Sequence, residues 1–304
     1  MRELWPWVEV RDFRGLKKLR IEPLALINLL VGKNGSGKTS VLEAVELLAD
    51  RREGTAHLQL ERRGAGFDDP DDPEPEEVFE ALVRRPNGAG FQVSTSSGSF
   101  GLIRRKERIL WASAQPGKEL RPVPFGRRPV PLAPSIAVTT QLPVETELGN
   151  MIESHLLGPN EQRLLQITRK IDPSIERLSS TKIRTQDGVV LPISSLGEGT
   201  RRMLTLAVSL LDAEGGILVV DEIDTGLHHS ILADTWRIVI ETARELEVQV
   251  FATTHSWDCV RALASALPTG GLAVMHRVED GNPDSVPYDE EMIEAAVQQG
   301  IEVR

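Results

Sequence analysis

Residues Gly32-Lys33-Asn34-Gly35-Ser36-Gly37-Lys38-Thr39 carry what a chain of phosphates demands of a protein. The glycines let successive backbone N–H groups turn toward one point and form an anion cradle. Lys38 brings a positive charge to β- and γ-phosphates, and the Thr39 hydroxyl is a ligand for Mg²⁺. The spacing G-x-x-x-x-G-K-[ST] is met in full. Its flanks agree. Leu24 to Val31 reads as a buried strand entering the loop, and Thr39-Ser40-Val41-Leu42 onward runs at helical spacing, so bound phosphates sit at a helix N-terminus. Asn34, Gly35, Ser36, Gly37, Lys38, Thr39 and Ser40 are therefore read as nucleotide-binding residues, with ATP and Mg²⁺ as the expected ligands.

A second set of residues points to the same ligand. Gly216-Ile-Leu-Val-Val-Asp221-Glu222 is an apolar strand that ends in two carboxylates. Asp221 suits the Mg²⁺ shell, and Glu222 is placed to align or deprotonate an attacking water. A further strand, Val248 to Thr254, ends at His255, on the ligand-binding edge of an open α/β sheet. There His255 can donate to the γ-phosphate or to the water. His228 and His229 read as helix-start residues. Ser195, Gly197 and Glu198 precede a strongly apolar helix, so their free N–H groups and hydroxyl suit another phosphate. The glycine loop already holds one phosphate chain, so the simplest use of this tip is a nucleotide held by another protomer.

These side chains need a scaffold, and the order of elements supplies one. The first 50 residues alternate as a hairpin that feeds the glycine-loop strand. From about 135 to 280, strands alternate with helices, which predicts an α/β fold with a mostly parallel, doubly covered sheet and a helical lobe at about 145–215. Residues 281–304 read as a tail or helix. Residues 51–134 differ in composition and predict an inserted β-rich arm. An acidic run begins at Asp68, and 84–130 carries ten basic residues against Glu107 and Glu119. Two readings stand for that arm: it contacts a DNA backbone, or it is a solvated segment that neutralises the acidic run.

Bulk composition bounds the class. The 304 residues are 40% apolar but only 4% aromatic, so the core is aliphatic. The net charge of −10 excludes a uniformly basic nucleic-acid coat. Cys259 is the one cysteine, so no intrachain disulfide forms, and it reads as a small buried apolar residue. With no apolar signal core and no apolar run near the ~20 residues of a membrane span, a cytoplasmic protein without a membrane partner is expected.

The four motifs stand in the order of the ABC-type ATPase superfamily: Walker A at 32–39, signature at 195–199, Walker B at 216–222 with the D-loop from Asp224, and the switch histidine at 255. The chain resembles the SMC/RecF/OLD branch. Val10-Arg-Asp-Phe-Arg-Gly-Leu-Lys17 ahead of the loop is similar to that branch's N-terminus. Asp221-Glu-Ile-Asp-Thr-Gly-Leu-His-His229 and Phe251-Ala-Thr-Thr-His-Ser256 resemble OLD (overcoming lysogenization defect) ATPase modules, nearest to the stand-alone ones that lack a Toprim domain. The resemblance implies a head-to-tail homodimer around two nucleotides. Lys38, Thr39, Asp221, Glu222 and His255 would come from one protomer, with Ser195 and Gly197 from the other. It implies a switch on a DNA-processing or anti-phage nuclease, or alternatively a RecF-like repair ATPase that binds DNA directly. Three features depart from the pattern. Leu196 stands where glycine is usual. Gln141 is the candidate for the glutamine loop, with a surface glutamine as its other reading. About 27 residues follow Arg277, too few for a Toprim domain, so a nuclease of Toprim or HNH type is expected as a separate polypeptide.

Overall fold

The glycine loop is fed by a hairpin, as its alternating residues predict. The computed structural model describes residues 4–64, 75–84, 88–105, 108–123, 129–268 and 270–303. β1 (Val8–Phe13) pairs with β2 (Leu16–Ile21), and β3 (Ile27–Val31) enters the loop. Helices α1 (Lys38–Asp50), α2 (Glu53–Arg62) and α3 (Pro75–Leu82) follow. Next come β4 (Gly90–Thr95), β5 (Gly98–Arg105), β6 (Arg108–Ala114), β7 (Arg121–Pro122) and β8 (Ser135–Val138). A lobe contains α4 (Glu145–Glu153), α5 (Glu161–Ile171), β9 (Ile175–Leu178), β10 (Lys182–Thr185) and β11 (Val190–Pro192). The α/β rhythm then resumes with α6 (Glu198–Asp212), β12 (Ile217–Val220), α7 (Leu232–Glu245) and β13 (Gln249–Thr253). It continues through α8 (Trp257–Ala266), β14 (Ala273–Arg277), β15 (Val286–Tyr288) and α9 (Glu290–Gln298).

The central sheet has the order β15-β14-β3-β13-β12-β8 and is parallel except for the β15 edge. Every residue of β3, β12 and β13 is buried, as strands covered on both faces require. Their C-terminal ends lie on one edge, which is where the loop at 32–39, the acids at 221–222 and His255 begin. Helix α1 lies between two sheets. Val41 through Ala49 are all buried, packed with Leu30, Val219 and Phe251 of the parallel sheet and with Val8, Val10, Phe91 and Phe100 of the other. Helices α6, α7 and α8 cover the opposite face through Leu206, Leu210, Trp236, Val239 and Leu263. No helix among the described residues is long and apolar enough to cross a membrane.

The segment set apart by composition is tied to the N-terminal hairpin. β4 pairs directly with β1, placing Val93 opposite Val10, and a six-stranded antiparallel sheet results with order β2-β1-β4-β5-β6-β7. Aromatic contacts lock it: Phe13 to Phe91 at 4.9 Å and Phe100 to Trp111 at 5.1 Å between ring centroids. Beside the strands of the expected β-rich arm, the segment also holds two helices that this expectation does not include, α2 and α3. Most of the acidic run lies outside the described residues, as do Arg85, Lys106, Arg127 and Arg128 of the basic set.

Candidate nucleotide site

The glycines of the loop are where the backbone needs them. Gly32, Gly35 and Gly37 have φ of 148°, 80° and 96°. A Cβ on Gly32 would stand 2.4 Å from the Val278 carbonyl oxygen, and one on Gly37 would stand 2.7 Å from Leu16 Cδ2. The loop is thus pressed between the β1–β2 turn and the end of β14. Gly32→Ala should cost about 2 kcal/mol or more, from backbone strain plus a clash with main chain that cannot yield cheaply, and should abolish nucleotide binding. Thermal melts with titration of a fluorescent nucleotide check this.

Gly37 caps α1 with no side chain, so the first N–H groups of the helix are free for an anion. The Lys38 ammonium donates to the carbonyls of Gly32 at 2.8 Å and Lys33 at 3.0 Å. Burial lowers its pKa, and the charges of Asp221 and Glu222 oppose that shift. The Ser36 hydroxyl is buried without a partner, a donor in place for a phosphate oxygen. Asn34 and Gly35 are exposed at the loop tip, and Ser40 is half-buried in the first turn of α1.

The acids meet this loop across the sheet edge. The Thr39 hydroxyl donates to the Asp221 carboxylate at 3.2 Å. Thr253 Oγ1 fixes two neighbours at once, donating to Asp221 Oδ1 at 2.6 Å and accepting from the Glu222 N–H at 2.8 Å. Glu222 adopts a φ of 46°, in the left-handed region. Its carboxylate accepts from Thr225 Oγ1 at 3.2 Å and lies 3.4 Å from His255 Nδ1, with both side chains partly open to solvent. Thr254 Oγ1 donates to Asp224 at 2.6 Å. Among the described residues, no three His, Cys, Asp or Glu side chains cluster as metal ligands. One hydroxyl and one carboxylate, with room left for phosphate oxygens and water, is instead the donor set that suits Mg²⁺. The cradle, the orphan Ser36 hydroxyl and this oxygen pair fit a magnesium–nucleotide complex.

The signature tip is not part of this cluster. Ser195 ends a 3₁₀ turn, its hydroxyl donating to the Pro192 carbonyl at 2.6 Å, and Gly197 caps α6. Ser195, Gly197 and Glu198 are exposed. Among the described residues, no hydrogen bond or ion pair joins the tip to residues 32–39. The tip neighbours the D-loop instead: a Cβ on Gly226 would stand 3.0 Å from Glu198 Oε1. Leu196 takes a φ of −67°, open to any residue, and packs inward against the core.

Gln141 lies three residues past β8, exposed, its carbonyl accepting from Thr139 Oγ1 at 3.4 Å. β8 runs parallel to β12 with Val138 opposite Val220, so Gln141 follows a strand that ends on the same edge as Asp221. A cleft of about 320 Å³ lies there, lined by Thr39, Asp221, Thr139, Thr140, Arg62 and Arg63 among others. His228 and His229 are exposed beside the D-loop, and His228 caps a 3₁₀ turn. Cys259 is buried, and burial pushes its thiol up to about 12, so it stays an inert core residue.

Sequence reasoning missed Arg202. It is 1% exposed on α6 and reaches the main chain at Thr139, Asp221 and Glu222. The available signal was the second of two adjacent arginines, Arg201-Arg202, set directly before the apolar pair Met203-Leu204.

Comparison with known proteins agrees with this geometry. Residues 7–82 match a family described as "AAA ATPase domain", and residues 147–258 match one described as "AAA domain, putative AbiEii toxin, Type IV TA system". A stretch of 50 residues, 16% of the chain, is 48% identical to the DNA replication and repair protein RecF of Marinomonas sp. (strain MWYL1) and spans 14% of that protein. An uncharacterised Methanocaldococcus jannaschii protein is 40% identical over 47 residues, 16% of this chain and 22% of its own length. Solved structures are similar over nearly the whole chain. An SMC head bound to the C-winged helix domain of ScpA superposes with a TM-score of 0.57 at 14% identity, covering 95% of this chain and 99% of its own. A second, an SMC head with an extended coiled coil bound to a ScpA domain from Pyrococcus furiosus, has a TM-score of 0.55 at 11% identity, with 98% and 99% covered. The fold is that of an ABC-type P-loop NTPase, as the resemblance of the four motifs implies, and its mostly parallel sheet is the one the alternating elements predict.

Proposed function

We propose, from the premise that this chain is an ATP-hydrolysing P-loop NTPase of the SMC/RecF-like ABC type, that it closes on a second copy of itself around two ATP molecules. The observation that carries this reading is an incomplete site. Lys38, Thr39, Asp221, Glu222 and His255 converge on one edge, while Ser195, Gly197 and Glu198 stand exposed elsewhere with a free helix N-terminus. The tip of one protomer supplies the missing wall of the other's site.

In this reading the N–H groups of the glycine loop and of the α1 N-terminus, with the Lys38 ammonium, hold the β- and γ-phosphates. Thr39 and Asp221 hold Mg²⁺, which neutralises charge on the β/γ oxygens when bound. Glu222 aligns and deprotonates the water, and His255 donates to the γ-phosphate from beside it. Asp224 and Gln141 border the nucleotide. Hydrolysis removes the phosphate that both protomers grip, so the interface loosens and the output is a conformational switch. Phosphate release, together with gel filtration with and without ATP, tests this. Hydrolysis and an ATP-dependent dimer are expected; a monomer under every nucleotide condition overturns it.

The partner we infer is a separate nuclease of Toprim or HNH type, in the manner of OLD-like ATPases acting against foreign DNA in the cytoplasm. The run 221–229 and the strand end at 251–256 support it. The second reading is a RecF-like ATPase that binds DNA directly, favoured by the 48% identity to RecF over 50 residues. Arg105 and Arg108 face each other, exposed, across the β5–β6 hairpin, whereas the Arg104 guanidinium lies 4.3 Å over the Phe79 ring and is already engaged. If DNA binds there, neutralising Arg105 and Arg108 weakens binding and lowers the salt slope by about one for each phosphate that no longer meets a cation. Unchanged fluorescence-anisotropy titrations at several salt concentrations exclude that role.

A further inference from the structure

We propose that Arg202 is a positioning residue for hydrolysis: from the helix behind the exposed tip, it holds the main chain that carries Glu222. This rests on the reading of Glu222 as the residue that activates water. Nη1 of Arg202 donates to the Thr139 carbonyl at 2.5 Å, and Nη2 lies 3.3 Å from the carbonyls of both Asp221 and Glu222. One planar guanidinium thus bridges the ends of β8 and β12 at the point where each strand leaves the sheet. The three carbonyls lie beyond the parallel ladder, and Arg202 supplies them with donors, joining the Thr225 N–H that also donates to the Glu222 carbonyl at 2.9 Å. Burial lowers the pKa of Arg202 while Asp221, Asp224 and Glu222 oppose that shift, so a cation inside the protein faces three acids of the site.

Two further features give this clamp a purpose. Glu222 is held at a φ of 46°, a region that residues with a Cβ visit rarely and keep only when their surroundings fix them. Thr253 holds its N–H and Arg202 its carbonyl, so the peptide units on both sides of the Glu222 Cα are pinned. In addition, Arg202 is one turn into α6, the helix that Gly197 caps. Engagement of the tip by a partner's phosphate is carried by a rigid helical turn to the backbone of the residue that aligns the water. Lysine cannot replace arginine here, because a single ammonium cannot donate in one plane to carbonyls on two strands.

The test compares R202K with wild type, alone and in the Glu222→Gln background, by steady-state and single-turnover phosphate release, nucleotide affinity and thermal melting. The expected result is kcat lower by about 100-fold with KM and affinity within about two-fold, since misplacing a reacting group by an ångström has that effect. In the Glu222→Gln background R202K should cause no further loss, because the group it positions is already absent. R202M, close in volume and without donors, is the second variant if R202K does not fold. Wild-type kcat in the folded variant, an effect confined to KM, or an equal loss in both backgrounds overturns the proposal. Full activity of Glu222→Gln removes the underlying reading and this one with it. An inactive Glu222→Gln beside an active R202K removes this proposal alone.

Discussion

Glu222→Gln should bind ATP as the wild-type chain does, release phosphate about a hundred- to ten-thousand-fold more slowly, and elute as a dimer that persists while ATP is present. The amide is isosteric with the carboxylate. Its oxygen still accepts from Thr225 Oγ1, which stands 3.2 Å from the carboxylate, and its backbone stays held by Thr253. Lys38, Ser36 and the Thr39–Asp221 pair are untouched, so the cradle for the phosphates survives. What disappears is the proton acceptor, so the state before hydrolysis accumulates. Two readouts move in opposite directions, with turnover falling while the dimer population rises. A general loss of stability would lower both. Gel filtration and phosphate release on one preparation check it, and wild-type turnover would remove Glu222 from the mechanism.

How much of this was legible in the sequence depended on the distance between partners. The glycine loop, Asp221, Glu222 and His255 each lie where a buried strand ends, and a run such as Ile217–Val220 announces its end locally. The parallel sheet then brings separate strand ends to one edge without any further instruction. Helix α8 was legible to its limits because Ser256 caps it and its apolar residues recur at helical spacing. The alternation in Gly90–Thr95 marked a strand, yet nothing in it pointed to β1, whose partner residues lie more than 80 positions away. Helix α2 escaped because it is held largely by polar contacts: Gln59 donates to the Glu43 carbonyl and to Glu46, and Arg62 pairs with Glu46. β8 is only four residues long and follows a run of prolines that masks it. Arg202 was invisible for a related reason. Its partners are main-chain carbonyls, which have no residue type to read, and the Thr139 carbonyl is 63 residues away.

The exposed tip yields the sharpest test of a site shared between two chains. Lys38→Ala removes the cation that meets the phosphates, and Ser195→Arg places bulk on an exposed residue whose hydroxyl bonds the Pro192 carbonyl among the described residues, so the core is not disturbed. Each variant alone should be inactive. Mixed in equal amounts, they should regain about a quarter of wild-type turnover per chain, because half of the dimers of a two-fold pair are then mixed and each carries one intact site of two. In that intact site Lys38, Asp221 and Glu222 come from the Ser195→Arg chain, and Ser195 and Gly197 come from the Lys38→Ala chain. A site completed within one chain predicts the opposite, since no mixture of two chains each lacking a part could exceed the sum of its members. Turnover measured across mixing ratios should therefore peak at equal amounts if the site is shared; a straight line between the two pure variants overturns the shared site, and an active Ser195→Arg chain alone would place the tip outside the reaction.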